Sequence, residues 1–373
     1  LNVTQQYSFK IISKLRGDIV LTISLMTAII TSFVKVPSIK YIDFKVIILL
    51  FNLMVVVKAF EEIKLMDKVA ITLIYRYKSL RRVSLALIFI TFFTSMLVTN
   101  DVALLTFVPL TIIISKKSNA NFMKTIIFQT LAANIGSSFT PMGNPQNLFL
   151  FTHYHMKALD FFKVTFPLAL MGILWLTILN FTIPKDNLKF KLNFLQVKDN
   201  KRLIIYAILF FIIILSVLNV IDYKLAFIIT VLCVLTFDIQ LMKRVDYLLL
   251  ITFICFFISI GNLSNMKVVH SYIQVFLSGK AYTYISSILL SQIISNVPCA
   301  ILVAEFTQNW KQVLLGVNIG GMGTLIASLA SVISYKLYIN DVSEEEKKNY
   351  LLKFSFYNFI SLFIFAIINY MIN

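Results

Sequence analysis

Five polar residues lie where apolar neighbours make them costly unless they are used. Asn100, Asp101, Asn134, Asn296 and Asn318 fall inside or between long apolar runs. Amide and carboxylate oxygens are hard donors, better suited to a hard cation than sulfur or imidazole. Asp101 is the sharpest of the set. A carboxylate near a bilayer midplane costs about 2.5 kcal/mol or more on insertion scales and marks a functional site by default. It is expected to hold a cation or, with its pKa raised by desolvation, to carry a coupling proton. Its plainer role is to cap the free N–H groups of the helix that follows. For the four asparagines the plainer role is interhelical hydrogen bonding.

The stretch that must position these groups is 134–147, with two prolines, two glycines and three asparagines in a run bordered by apolar helix-like sequence. Such a run cannot continue a helix. The backbone groups it frees are tolerated in hydrocarbon only where protein or a water-filled cavity surrounds them. Broken helices of this kind are where transporters bind their cargo.

Composition sets the class. The chain of 373 residues is 59% apolar and 14% charged, with a mean hydropathy of +0.86; soluble domains have about 45–50% apolar and 25% charged residues. An all-α polytopic membrane protein is expected. The 34 Lys and Arg against 17 Asp and Glu sit in short gaps between apolar runs, which fits positive-inside sorting and not a nucleic-acid stripe. Cys233, Cys255 and Cys299 have neither disulfide nor metal-ligand spacing. No removable signal peptide is expected, because Lys10, Lys14 and Arg16 precede an apolar run that lacks a small-residue cleavage pattern.

At 1.5 Å per residue a span needs about 20 apolar residues. Residues 1–40 hold an N-terminal span. Residues 41–183 form a first repeat: a span, an interfacial helix over 61–82, a hairpin over 83–115, a broken helix over 121–153 and a returning span. A basic cytoplasmic linker follows at 184–202. Residues 203–373 hold the second half, with a hairpin over 282–308, a broken helix over 312–339 and a last span over 350–371. Residues 343–348 read as an acidic-basic loop. Each arm of the first hairpin reaches only about 21–24 Å of a core of about 30 Å, and the arms of the second about 18 Å or less. Both hairpins are therefore expected to be re-entrant, with tips at Thr99-Asn100-Asp101 and Ser295-Asn296-Val297. Most Lys and Arg then fall on the inner side, with the N-terminus inside and the C-terminus outside.

Aligned without gaps, Val317 to Ser331 lies under Ala133 to Asn147 and pairs Asn318 with Asn134, Gly320 with Gly136 and Thr324 with Thr140. The hairpin tips and the Asp43 and Asp246 span starts recur in the same order. An odd number of crossings between the two copies makes this an inverted-topology repeat. The tips, Ala132-Ala133-Asn134-Ile135-Gly136, and Thr140-Pro141-Met142-Gly143-Asn144-Pro145-Gln146-Asn147 resemble the ion transporter superfamily with the citrate transporter-like domain. That group includes divalent anion/sodium symporters and arsenite-efflux permeases. The resemblance covers roughly residues 40 to 370 and is weaker over 318–331. It implies an elevator-type carrier, often a homodimer, with paired cation sites flanking an anion site. It turns Thr99, Thr140, Asn144, Gln146, Asn147, Ser295 and Thr324 from helix caps into candidate donors to an anion, helped by the positive ends of half-helices. Two departures stand out. Asp101 adds a carboxylate and Val297 removes a hydroxyl from the Ser-Asn-Thr tips of sodium-coupled dicarboxylate carriers, and the Asn-Asp tip is closer to the arsenite permeases.

The expected function is a secondary carrier coupling Na⁺ or H⁺ to a small anion such as a di- or tricarboxylate, with the bilayer as partner and no resident cofactor. Two alternatives stay open: proton-coupled arsenite or antimonite efflux, and a passive anion channel. An enzyme is not expected, since HExxH, GxSxG and paired carboxylates are all lacking. His153 and His155 are two apart and share no helical face. Glu305 is expected near the outer surface. Gly316 and Gly320 have the spacing of a packing pair.

Overall fold

Aspartates placed just before apolar runs start four of the helices. Asp43, Asp199, Asp222 and Asp246 each accept a hydrogen bond from a first-turn N–H, at 2.8 to 3.3 Å, which satisfies donors that a helix leaves open. The computed structural model describes residues 19–75, 77–188, 199–266, 273, 277, 279–340 and 342–372. Among these, the elements are helical apart from one isolated bridge between Ser79 and Asn187.

The chain runs through α1 (Ile19–Val34), α2 (Phe44–Glu62), α3 (Leu65–Ile74), α4 (Leu80–Val98), α5 (Asn100–Ser118), α6 (Met123–Ser137), α7 (Pro145–His153) and α8 (Ala158–Asn180). It continues through α9 (Asn200–Val217), α10 (Tyr223–Phe237), α11 (Tyr247–Ser264), α12 (Lys280–Ile294), α13 (Asn296–Ala304), α14 (Trp310–Gly320), α15 (Leu329–Ile339) and α16 (Glu344–Ile372). Five of them, α4, α8, α9, α11 and α16, are long and apolar enough to cross a membrane. The chain is a polytopic membrane protein.

Packing sorts the helices into two groups. In one, α2 packs against α9, α10 and α11, and α11 against α1. Glu62 at the end of α2 binds Arg202 of α9 at 2.9 Å and Arg244 at 2.7 Å, and Arg202 also meets Asp238. In the other group α4 and α5 pack on α6, α12 and α13 on α14, and α15 crosses to α5 and α6. Contacts of α2 with α7 and of α11 with α13 join the two.

Three expectations are corrected. The arms α4 and α5 have 19 residues each, about 28 Å, because helix continues through Leu80-Arg81-Arg82 and Lys116-Lys117-Ser118. Arg81 supports the first extension by donating to the carbonyls of Ile183 and Phe181. In the second hairpin α12 also has 15 residues, about 22 Å. Residues 343–348 are not a loop. Ser343 and Glu346 exchange side-chain-to-backbone hydrogen bonds at 3.3 Å, a capping box that starts α16 at Glu344. The region 61–82 divides, its ends belonging to α2 and α4 and its middle to the ten-residue α3. Of the 184–202 linker, residues 184–188 run beside 78–80, with Leu80 N–H on Asp186 O and Leu188 N–H on Lys78 O; residues 189–198, including Lys189, Lys191 and Lys198, lie outside the described residues, as do Lys10, Lys14 and Arg16.

Candidate functional site

Both hairpin tips take the same strained backbone. Thr99 has φ 83° and ψ 151° and Ser295 has φ 73° and ψ 153°, a region that non-glycine residues rarely enter and that costs on the order of 1–3 kcal/mol. One residue thereby ends one helix and starts the next. The first tip is a true hairpin: Gln129 on α6 bonds Thr91 of α4 at 3.1 Å and Thr111 of α5 at 2.9 Å, so the two arms run side by side.

Threonines of the two breaks hold the two tips alike. Thr140 Oγ1 donates to the carbonyl of Met96, three residues before Thr99. Thr324 Oγ1 donates at 3.0 Å to the carbonyl of Gln292, three residues before Ser295. Glycines let the arms close in: a Cβ on Gly136 would lie 2.3 Å from Phe92 O, and one on Gly320 2.7 Å from the Ser291 side chain.

Between the tips, the breaks bond each other reciprocally. Asn134 Nδ2 donates to Ser331 Oγ at 3.3 Å and to Gly321 O at 3.2 Å, and its Oδ1 accepts from Ser328 Oγ at 3.0 Å. Asn318 Nδ2 donates to Asn147 Oδ1 at 2.7 Å, and its Oδ1 accepts from Asn144 Nδ2 at 3.1 Å. Each break's asparagine is thus held by two residues at the start of the other half's next helix, α15 for Asn134 and α7 for Asn318. Asn100 joins through its Nδ2 to Asn134 Oδ1 at 3.3 Å, and its N–H meets Gly143 O at 3.1 Å. Asn296, 3% exposed, lies against Gly321, where an added Cβ would fall 2.8 Å from its Nδ2.

Freed backbone carbonyls are gathered by amides. Asn147 Nδ2 donates to Ser137 O, Ser138 O and Thr140 O at 3.1 to 3.3 Å. Gln292 Nε2 donates to Gly320 O at 2.7 Å and Met322 O at 3.0 Å.

Ser137 links the two sets, its Oγ donating to Asn134 O at 3.1 Å and accepting from Asn144 Nδ2 at 3.2 Å, so Asn100, Asn134, Asn144, Asn147 and Asn318 form one buried network with Asn296 beside it. Their side-chain oxygens each accept a hydrogen bond in this conformation. A cation binding here would have to take the place of those donors. Asp101 is half-buried in the first turn of α5, its N–H on Asn100 Oδ1 at 3.0 Å. Gln146 is buried in the first turn of α7. Thr140, Thr324 and Ser295 face hairpin or break backbone, Ser295 Oγ reaching Ala327 O at 3.4 Å. Glu305 is exposed; burial, and after it the Glu305 charge, pushes the Tyr154 phenol upward. Among the described residues no group of three His, Cys, Asp or Glu could hold a metal ion.

Sequence reasoning missed Ser328, Ser331, Gln292 and Gln129. The ungapped alignment places Ser328 under Asn144 and Ser331 under Asn147, but neither pair is identical, so identity alone passes over them. Gln292 and Gln129 sit in apolar helices, where a lone amide was the available signal.

The family model described as citrate transporter matches residues 7–311. An uncharacterized transporter of Methanocaldococcus jannaschii is 38% identical over 299 residues, covering 79% of this chain and 81% of that protein. The inner membrane protein YbiR of Escherichia coli K12 is 28% identical over 300 residues, covering 79% and 80%. A Dictyostelium discoideum protein bearing the transporter name arsB is 31% identical over 148 residues, covering 40% of this chain and 26% of that one. A family match over most of the chain, carried by relatives that are transporters, agrees with the helical architecture and the paired breaks: the chain belongs to the citrate transporter family.

Proposed function

We propose that the chain is a secondary active transporter that couples Na⁺ or H⁺ to a small anion such as a di- or tricarboxylate across the cytoplasmic membrane. The observation that carries this reading is the reciprocal bonding of Asn134 and Asn318 by residues of the opposite break. It supports two inverted-topology repeats whose broken helices meet at one buried site, the arrangement that suits alternating access. On this reading the hairpins are re-entrant and the tips and breaks move as one elevator body against α1, α2, α9, α10 and α11, with the N-terminus inside. Asn100, Asp101, Asn134, Asn296 and Asn318 take the coupling ion. Thr99, Thr140, Asn144, Gln146, Asn147, Ser295 and Thr324 line the path of the anion.

The test is uptake by purified protein in liposomes under an imposed Na⁺ or H⁺ gradient, with succinate, citrate and arsenite offered in turn. Gradient-dependent carboxylate accumulation is expected, and Asp101→Asn is expected to abolish it while leaving the protein inserted. Normal uptake by that variant would remove Asp101 from coupling, and gradient-independent flux would favour a channel. A second reading, proton-driven arsenite efflux, draws on the acidic tip residue Asp101 and the similarity to the arsB-named protein. Arsenite movement driven by H⁺ alone would select it.

A further inference from the structure

Where α11 of one helix group meets α13 of the other, a cleft of about 120 Å³ remains, and both Lys40 and Glu305 line it. Each charge is fixed to its own side. Lys40 lies in the helical turn Ile39–Tyr41, its N–H on Ser38 Oγ at 3.3 Å. The neighbouring Tyr41 ring is seated on Gly261 of α11, where an added Cβ would fall 2.4 Å from it. Glu305 directly follows α13. Tyr154, at the end of α7, donates to Thr307 O at 2.8 Å, with Ala304 O at 3.4 Å, so the backbone on both sides of Glu305 is tied to the second helix of the first break.

The contacts beside the cleft have no direction of their own. Phe257 of α11 meets Phe149 of α7 with ring centroids 5.7 Å apart, and Ile260 of α11 and Ile301 of α13 are buried at the cleft wall. Such apolar surfaces attract without fixing a position. The charges do fix one. Lys35 is already engaged, its Nζ on Asn265 O at 3.1 Å at the end of α11, whereas Lys40 and Glu305 stand at one cleft, short of an ion pair. We propose that Lys40 and Glu305 form an ionic latch, closing as α13 settles against α11 and opening as the second hairpin moves away. This rests on the reading that the tips and breaks move as one body against α1, α2, α9, α10 and α11. An exposed ion pair is worth a factor of up to about five in an equilibrium, enough to bias one position and weak enough to release it.

Two measurements on the full chain in liposomes test this, with succinate, citrate and arsenite as cargo probes. In a background with Cys233, Cys255 and Cys299 replaced by Ser, a short bismaleimide is expected to join Lys40→Cys to Glu305→Cys and to stop uptake. Separately, Glu305→Lys and Lys40→Glu should each change the uptake rate about fivefold and in the same direction, since either one breaks the same pair. The exchange of both should restore the rate. Both residues are exposed, so neither change disturbs the core. Failure to cross-link, or a double exchange no better than the single reversals, would overturn the latch while the moving body stands. Cross-linked protein that transports at the rate of the same variant before cross-linking would overturn both.

Discussion

The two halves hold the same backbone geometry with different chemistry. In the first, hairpin and broken helix are joined by buried polar pairs along α6: Ser84 with Thr125 at 2.7 Å, Gln129 with Thr91 and Thr111, and Asn100 with Asn134. In the second, α12 and α14 approach along small residues, and a buried amide, Gln292 on Gly320 O, joins them only at the tip end. Gly316 lies on Ser287 and Gly320 on Ser291, while those serines turn their hydroxyls back to their own helix. Polar pairs fix a register by direction, and small residues by close approach. The strained tips match because both solutions serve the same demand. Each must bring a hairpin tip within a hydrogen bond of a broken helix.

The largest expected difference is at the paired glycines. Gly136→Ala would drive a Cβ into backbone, Phe92 O at 2.3 Å, and should destabilise by about 3 kcal/mol, the upper end of overpacking costs. Gly320→Ala meets a side chain instead, Ser291 at 2.7 Å. It should cost less, and Ser291→Gly should relieve it apart from the roughly 1 kcal/mol of a helical glycine. Denaturant unfolding in detergent would measure both. Equal effects, or no rescue, would mean that the halves are packed alike.

Next come the amides that collect freed carbonyls. Asn147 serves three of them in the first break, and Gln292, on a hairpin arm, serves two in the second. Asn147→Ala should cost about 2–3 kcal/mol and Gln292→Ala about 1–2 kcal/mol, from buried acceptors left unsatisfied. Their placement predicts different phenotypes in the proposed transport assay. Gln292→Ala should loosen the second tip, while Asn147→Ala should also release Asn318. Unchanged unfolding with either variant would show that water replaces the amide.

Much of this was legible in the sequence because glycine, proline and asparagine in an apolar chain have few other uses. A break within 134–147, the tips at Thr99 and Ser295 and the alignment of Asn134 with Asn318 all follow from residue type. The bounds of the break do not: helix runs on through Asn134 to Ser137 and resumes at Pro145, which narrows the break to 138–144. The Ser328 and Ser331 contacts were not legible. A serine in an apolar helix bonds its own backbone as readily as a neighbour, and only tertiary packing decides which. Arm lengths were underestimated for a related reason. The apolar ruler stops at Arg81, Arg82, Lys116 and Lys117, but helix propensity does not, and Arg81 finds the carbonyls at the end of α8. Ser343 with Glu346 was legible as a capping box, and the density of charge there masked it as a loop.

The smallest effects belong to the two threonines, which make the comparison most exacting. Thr140 and Thr324 make the same bond to the residue three before the tip, so Thr140→Val and Thr324→Val should each cost about 1 kcal/mol, the net worth of one hydrogen bond. The double variant should be additive if the two tips are independent, and should fall short of or exceed the sum if tension at one tip reaches the other. The reciprocal bonds of Asn134 and Asn318 give a physical route for such coupling, since each break is anchored on the other half. A double-mutant cycle on unfolding free energy reads this directly. Additivity within about 0.5 kcal/mol would make each hairpin and its break a separate unit, and a stronger coupling between the tips would make the two halves one body.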